Sequence, residues 1–458
     1  MSAQAQAGRG GSELLSREQA KALADRALSF STADETRVSI TSEWSGNTRF
    51  ADANITTSGG VRDASVTVTA TLGRRRASAS TNVLDDEALK QTVALAARLA
   101  RLSPEDPELM PELGPQTYAV VSAFLDRTAD LTGEARAAAV RRVVDAALEA
   151  GKAAGNLFVA GFLEANARSM AVATSGGLFA YHRTTDVDLS VTARTPDRTG
   201  SGWSRAGSRD WGAVDPGALG RVAAQKAVAS RNPQAIEPGM YTAVLEPQAV
   251  NDLVPLLGGA LTARGADEGR SAFAKAGGGT RIGEKVADER VTLYSDPADP
   301  HLGGTPFDLE GLPVRRHVWI ENGVLRNLSY TRFWAQKQGK QPTGAQALLG
   351  GLTLAGGTKT TEELIAGCKR GVLVTHFFYI RSLDPRTVLN TGLTRDGAFL
   401  IENGTITRPL KNFRWNESPL LMLNRLEDIG RPEPTAAGRM MPALRVRNFN
   451  FTSLSDAV

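Results

Sequence analysis

Four histidines, His182, His301, His317 and His376, and one cysteine, Cys368, carry all the imidazole and thiol chemistry in the chain. No two histidines lie four or five residues apart, so no single helix presents a pair of imidazoles. That excludes the usual zinc-peptidase helix, in which two histidines hold the metal and a glutamate takes a proton from its bound water. Cys368 and His376 are eight residues apart, the first on an expected helix opened by Thr360 and Glu363, the second in the strand that follows. A zinc site needs three or four protein ligands and nothing nearby completes such a set, so both read as ordinary buried side chains.

Other chemistries fare no better. No GxSxG elbow is present to raise a nucleophilic serine. The glycines of KAGGGTRIGEKV, residues 275–286, lack the lysine–hydroxyl pair of a phosphate-binding loop, and read as a flexible loop. The aspartates of YSDPADP, residues 294–300, lack the glycine and terminal glutamate of a calcium loop, and read as a solvated turn. The basic run Arg74–Arg76 has no aromatic interleaving, and reads as a solvated loop rather than a phosphate contact.

The elements that would position any site follow from composition and pattern. With 458 residues, two or three domains are expected, and 41% hydrophobic with 22% charged residues is a globular composition. The 53 basic and 49 acidic residues leave a net charge of +4 spread along the chain, which gives no nucleic-acid footprint. A single cysteine suits a reducing compartment. The first residues lack the apolar core of a signal peptide and no run of about 18 apolar residues occurs, so a cytoplasmic chain that does not enter a membrane is expected.

Residues 1–11 are small, polar and glycine-rich, and are expected to be disordered. An N-terminal unit at 12–112 opens on a helix capped by Ser16 and Gln19, continues as alternating strands, and adds a helix with Leu89, Val93, Ala96, Ala97 and Ala100 on one face. The four prolines of SPEDPELMPELGP mark a linker. A middle unit at 113–236 repeats the helix, sheet, helix order, with Val140, Val143, Val144 and Ala147 as a buried stripe. From 237 to 458 the chain is strand-rich, and two IENG tetrapeptides, at Ile320–Gly323 and Ile401–Gly404, predict tight type I′ hairpins. The fold class is α+β: antiparallel sheet with helices in the first two units, then a β-rich C-terminal domain expected to carry dimer contacts.

Several stretches together resemble the TldD/PmbA family, also called the modulator of DNA gyrase family. They are TRFADANI and TNVLDDEALKQTVALAARLARLSPEDPEL early in the chain, then GRSAF, IGEKVADERVTLYSDP, GTPFDLEGLPVRRHVWIENGVLRNLSYTRFWAQK with PTG, and FLIENGTITRPLKN. The resemblance runs from about residue 36 nearly to the end, and DLEGLP at Asp308–Pro313 ahead of a strand into IENG is its most specific part.

That resemblance implies a cytoplasmic two-subunit protease, in which one subunit carries a His-Glu-x-x-x-His zinc motif with a later cysteine ligand and a related TldE/PmbA-type partner lacks the metal. Counting back from GRSAF, the motif would fall on Val254, Pro255, Leu256, Leu257, Gly258 and Gly259, none of which binds zinc. The stretch NRLEDIGRPEPTAAGRMMPALRV has no cysteine either. Val250, Leu253, Val254, Leu257 and Leu261 share one helical face, and Pro255 is expected to kink that helix. The implied role is a metal-free subunit with no catalytic residue of its own, shaping a channel for unfolded peptides while a TldD-like partner supplies the zinc. The alternative is a homodimeric, non-catalytic peptide-binding or scaffold protein.

Overall fold

The computed structural model describes residues 14–344 and 350–455. The expectation of disorder for residues 1–11 lies outside them. Helix starts follow the local chemistry. Helix α1 (Arg17–Ser29) opens on a reciprocal cap in which Ser16 Oγ accepts the Gln19 N–H and the Gln19 side chain accepts the Ser16 N–H. Asp85 caps α2 (Asp86–Leu102), whose first turn is acidic as the helix dipole favours. After the single turn α3 (Asp126–Ala129), Thr132 caps α4 (Gly133–Gly151) and Asp215 caps α5 (Pro216–Ala229), which starts on proline.

Strands β1 (Glu35–Ala51), β2 (Asn54–Leu72), β3 (Arg75–Thr81), β4 (Phe158–Thr174), β5 (Phe179–Arg194) and β6 (Ser201–Ser208) form one antiparallel sheet in the order β3-β2-β1-β4-β5-β6. The N-terminal and middle units therefore share a sheet, joined where β1 pairs with β4. Alternation decides its faces. Val159, Leu163 and Ala165 of β4 pack in the core under α4 and α5, while Ala171 and Ala173, of the same parity, pack in the core under α1 and α2. All four long helices thus lie on one face. The opposite face carries Glu43, Asn47, Glu164, Asn166, Arg168, Asp186 and Asp188, all half-buried and polar.

The C-terminal domain is built on a second sheet of β7 (Gly239–Leu245), β8 (Leu293–Ser295), β9 (His317–Glu321), β10 (Val324–Leu325), β11 (Leu352–Leu354), β12 (Arg370–Asp384), β13 (Leu389–Glu402), β14 (Thr405–Leu410), β15 (Asn412–Glu417), β16 (Leu426–Ala436) and β17 (Arg439–Ser455). β7 pairs in parallel with β12 and antiparallel with β17, so β17-β15-β13-β12-β7 close into a ring without free edges. Short helices α6 (Pro247–Leu253), α7 (Ala263–Asp267), α8 (Arg332–Gln338), α9 (Thr361–Ala366) and α10 (Pro419–Asn424) surround it. Both IENG turns form as predicted, with positive φ at Asn322 and Gly323 and at Asn403 and Gly404.

The basic run Arg74–Arg76 is not a solvated loop. Its guanidiniums bind the proline-rich linker: Arg75 donates to the Ser103 carbonyl at 2.8 Å, and Arg76 to the Met110 carbonyl at 3.1 Å and to Glu112 at 2.9 Å. Fixed linker carbonyls supply the acceptors that a free loop would have left to water. Helices α4 and α5 meet at Gly220, where an added Cβ would lie 2.2 Å from the Val143 carbonyl oxygen. Gly220→Ala is expected to destabilise the chain by about 1–3 kcal/mol through overpacking, read as a lower urea midpoint at unchanged slope.

Candidate functional site

The segment expected to stand at the metal-motif position, Val254–Gly259, follows α6 directly. Proline lacks an N–H and its ring collides with the carbonyl four residues back, so Pro255 cannot continue an α-helix through Asn251. Accordingly α6 stops at Leu253 and residues Val254–Gly259 tighten into a 3₁₀ helix, rather than bending as one kinked helix. The apolar face still forms: Val250, Leu253, Val254, Leu257 and Leu261 are each at most 1% exposed. Val254 points into the core of the C-terminal domain, whereas a Cβ added to Gly258 or Gly259 would meet no atom within 4 Å. None of the six side chains from Val254 to Gly259 offers a nitrogen, oxygen or sulfur donor, so these residues do not fit zinc. Among the described residues no three His, Cys, Asp or Glu side chains gather as a metal-ligand set.

Polar chemistry lies one turn earlier and across the domain junction. Asp252 on α6 is half-buried, and its carboxylate accepts the Phe377 N–H at 2.8 Å and the Gln248 amide at 3.1 Å. Burial pushes its carboxyl above the usual range despite those bonds. On the neighbouring strand β12, His376 Nε2 lies 3.1 Å from the Asp396 carboxylate, and its ring stacks on Trp203 of β6 with centroids 4.2 Å apart. The other Asp396 oxygen accepts a short hydrogen bond from Ser201 Oγ, also on β6. Burial alone would raise the Asp396 carboxyl, but its bonds from His376 and Ser201 and the nearby Arg395 charge outweigh that and hold it low.

This serine, aspartate and histidine do not make a hydrolase triad. A triad places the imidazole between serine and carboxylate so that it can take the serine proton. Here the carboxylate is in the middle, Ser201 donates to it, and all three are less than a tenth exposed. The arrangement ties the first sheet to the second.

The other singled-out residues are dispersed. Cys368 packs among Leu364, Phe399 and Ile401, apart from the Trp203 stack that holds His376, and burial pushes its thiol up. His182, on the first sheet, sets Nε2 3.0 Å from the Gly304 carbonyl of the C-terminal domain. His301 is exposed, and His317 is half-buried against Trp319. Asp308, from DLEGLP, accepts the Glu310 and Leu312 N–H groups and holds its own loop. Asp252 and Asp396 were not anticipated. The sequence signal for Asp252 is a lone acid inside an apolar stretch, and Asp396 has none.

Known proteins share this architecture. A crystal structure of TldE from Thermococcus kodakarensis superposes with a TM-score of 0.82 at 20% identity, covering 94% of this chain and 99% of that one. A Thermotoga maritima protein described as a modulator of a DNA gyrase gives 0.82 at 19% identity, with the same coverage. These likenesses establish the fold. Residues 238–453 match the family model described as the PmbA/TldA metallopeptidase C-terminal domain, and residues 126–231 match its central domain. The chain belongs to the PmbA/TldD metallopeptidase family. A metalloprotease PmbA homolog of Haemophilus influenzae is 23% identical over 358 residues, 76% of each chain. A metalloprotease of Methanothermobacter thermautotrophicus is 30% identical over 163 residues, and that match spans about a third of the relative's length, 35%. Among the described residues no helix is long and apolar enough to cross a membrane.

Burial of His182 at the domain junction disfavours its charged form and lowers its pKa from 6.5 to about 4. The unfolded chain therefore binds the extra proton first as pH falls through 6.5, and stability is lost from there down to about 4, on the order of 2–3 kcal/mol. His182→Gln, whose amide can still donate to the Gly304 carbonyl, is expected to flatten that part of the unfolding free energy against pH; an unchanged slope would remove His182 as its source.

Proposed function

We propose that this chain is the metal-free, TldE/PmbA-like subunit of a two-subunit zinc metallopeptidase acting on unfolded peptides. The observation that supports the reading is the segment Val254–Gly259, expected at the motif position, which is a 3₁₀ turn without side-chain donors whose Val254 and Leu257 pack into the core. Zinc needs three or four ligands to bind and to polarise a water, so on this reading the metal and its chemistry come from a TldD-like partner. The family membership and the likeness to TldE support it.

The chain's own contribution is a binding surface. The first sheet presents long strands whose helix-free face is lined by paired polar groups, such as Asn166 with Asp186 at 2.8 Å and Arg168 with Glu43 at 2.8 Å. Such a face offers hydrogen bonds to an extended backbone without demanding a particular sequence. Nothing in it resembles a basic groove for nucleic acid, and the single buried cysteine suits the cytoplasm.

Purified alone, the full chain is expected to hold well under one equivalent of zinc by elemental analysis and to leave unfolded peptides intact. Mixed with a homologue that carries the His-Glu-x-x-x-His motif, it is expected to form a stable complex that cleaves them. Stoichiometric zinc or cleavage by the lone chain would overturn the reading, and a stable homodimer indifferent to such a homologue would favour the scaffold alternative.

A further inference from the structure

Arg439 opens β17 at the tip of the β16–β17 hairpin, paired with Ala436 on one side and Leu352 on the other. It is only partly exposed, yet among the described residues its guanidinium makes no hydrogen bond and no ion pair. Its five N–H donors, in a fixed fork, have no protein acceptor, and none of its nitrogens is sealed from water, so the fork is open to an incoming group. Burial and the charge of Arg205 both disfavour the guanidinium here, and only Asp252 favours it.

The surroundings sharpen the anomaly. The hairpin tip rests on β6 where a Cβ added to Gly207 would come 2.9 Å from the Ala436 Cα. Side chains two apart on a strand share a face, so Arg205 and Trp203 project toward the hairpin side as well. Asp188 is taken by Arg205 at 2.8 Å, and Asp252, which accepts from Phe377 and Gln248, forms no ion pair with Arg439. In the bulge between Pro434 and Ala436, Thr435 buries its hydroxyl without a partner, and the Asn251 side-chain oxygen beside Asp252 is likewise buried and unpaired. Unsatisfied polar groups of this kind are rare in folded proteins. Thr435 sits next to the hairpin tip, and Asn251 lies on the helix that runs into Val254–Gly259.

We infer that Arg439, backed by Arg205, binds a peptide carboxylate at the junction of the two sheets, giving the peptide-binding face one anchored end. This rests on the peptide-binding reading above. A carboxylate offers the guanidinium two parallel acceptors, which neither a neutral amide nor water supplies with the same geometry. The carboxylate can be a peptide's C-terminal group or an aspartate or glutamate side chain.

The test uses the full-length chain and unstructured peptides labelled at the N-terminus, read by fluorescence anisotropy. One peptide has a free C-terminus and no acidic residue, a second is its amide, and a third is the amide with one internal glutamate. Wild type is expected to bind a carboxylate-bearing peptide at least about tenfold more tightly than the neutral amide. The first peptide's advantage would identify the C-terminal group as the anchor, and the third's the acidic side chain. Arg439→Gln is expected to abolish that advantage while leaving affinity for the neutral amide unchanged. Because Arg439 has no partner in the free chain, Arg439→Met is expected to unfold at the same or higher denaturant concentration than wild type, whereas an arginine kept for structure would make it lower. Equal affinity for all three peptides, or loss of subunit association rather than of carboxylate preference in Arg439→Gln, would overturn the inference. If wild type binds none of the peptides, the peptide-binding reading itself fails.

Discussion

A side chain at position 207 would strike the backbone of Ala436, and the relation between the two halves of the molecule depends on that close approach. Because β6 can receive the β16–β17 hairpin there, the edge of the first sheet is covered rather than exposed. Neighbouring positions on the same strand then become junction residues: Ser201 reaches Asp396 and Trp203 stacks on His376. One hydroxyl and one aromatic ring on β6 thus convert an edge strand into an interdomain seam. Arg209, donating to the Leu302 and Gly303 carbonyls, continues it at the other end of the strand.

Placing all four long helices on one face of the first sheet has a second consequence. The sheet's hydrophobic contribution is spent on that side, where Val187, Leu189 and Val191 of β5 are fully buried. The other side is polar around Glu43, Glu164–Arg168 and Asp186–Asp188, while farther along it Val172 and Ala180 pack on Phe307 of the C-terminal domain. Crowding of like charge there is visible at Glu164, whose carboxyl is raised by burial and by the neighbouring Asp186 and Asp188. A surface of this kind stabilises the fold little and is well suited to contact a polar backbone.

The Val254–Gly259 turn belongs to the C-terminal core although none of its side chains carries a donor atom. Its aliphatic residues contribute to the core that also holds Phe273, Trp319 and Trp334, so the segment is retained by packing. The proline that ends α6 and the two glycines that follow are compatible with that role and incompatible with a rigid ligand-bearing helix.

By itself the sequence determined the local elements and the lack of side-chain donor atoms across Val254–Gly259. Capping residues Ser16, Asp85 and Thr360, the helical stripes of α2 and α4, and the Asn-Gly turns act over a few residues, so their outcome is written in spacing. A donor-free segment is equally legible, because no fold can give valine or glycine a ligand atom. Only the tertiary structure decided what depends on distant residues. It merged two units into one sheet through β1 and β4, and turned Arg74–Arg76 from a charge run into a clamp on the linker. It also brought Ser201 to Asp396 across 195 positions and left Arg439 without an acceptor. Such pairings arise from strand order and burial, and neither periodicity nor composition records which carbonyl, carboxylate or ring a side chain will meet.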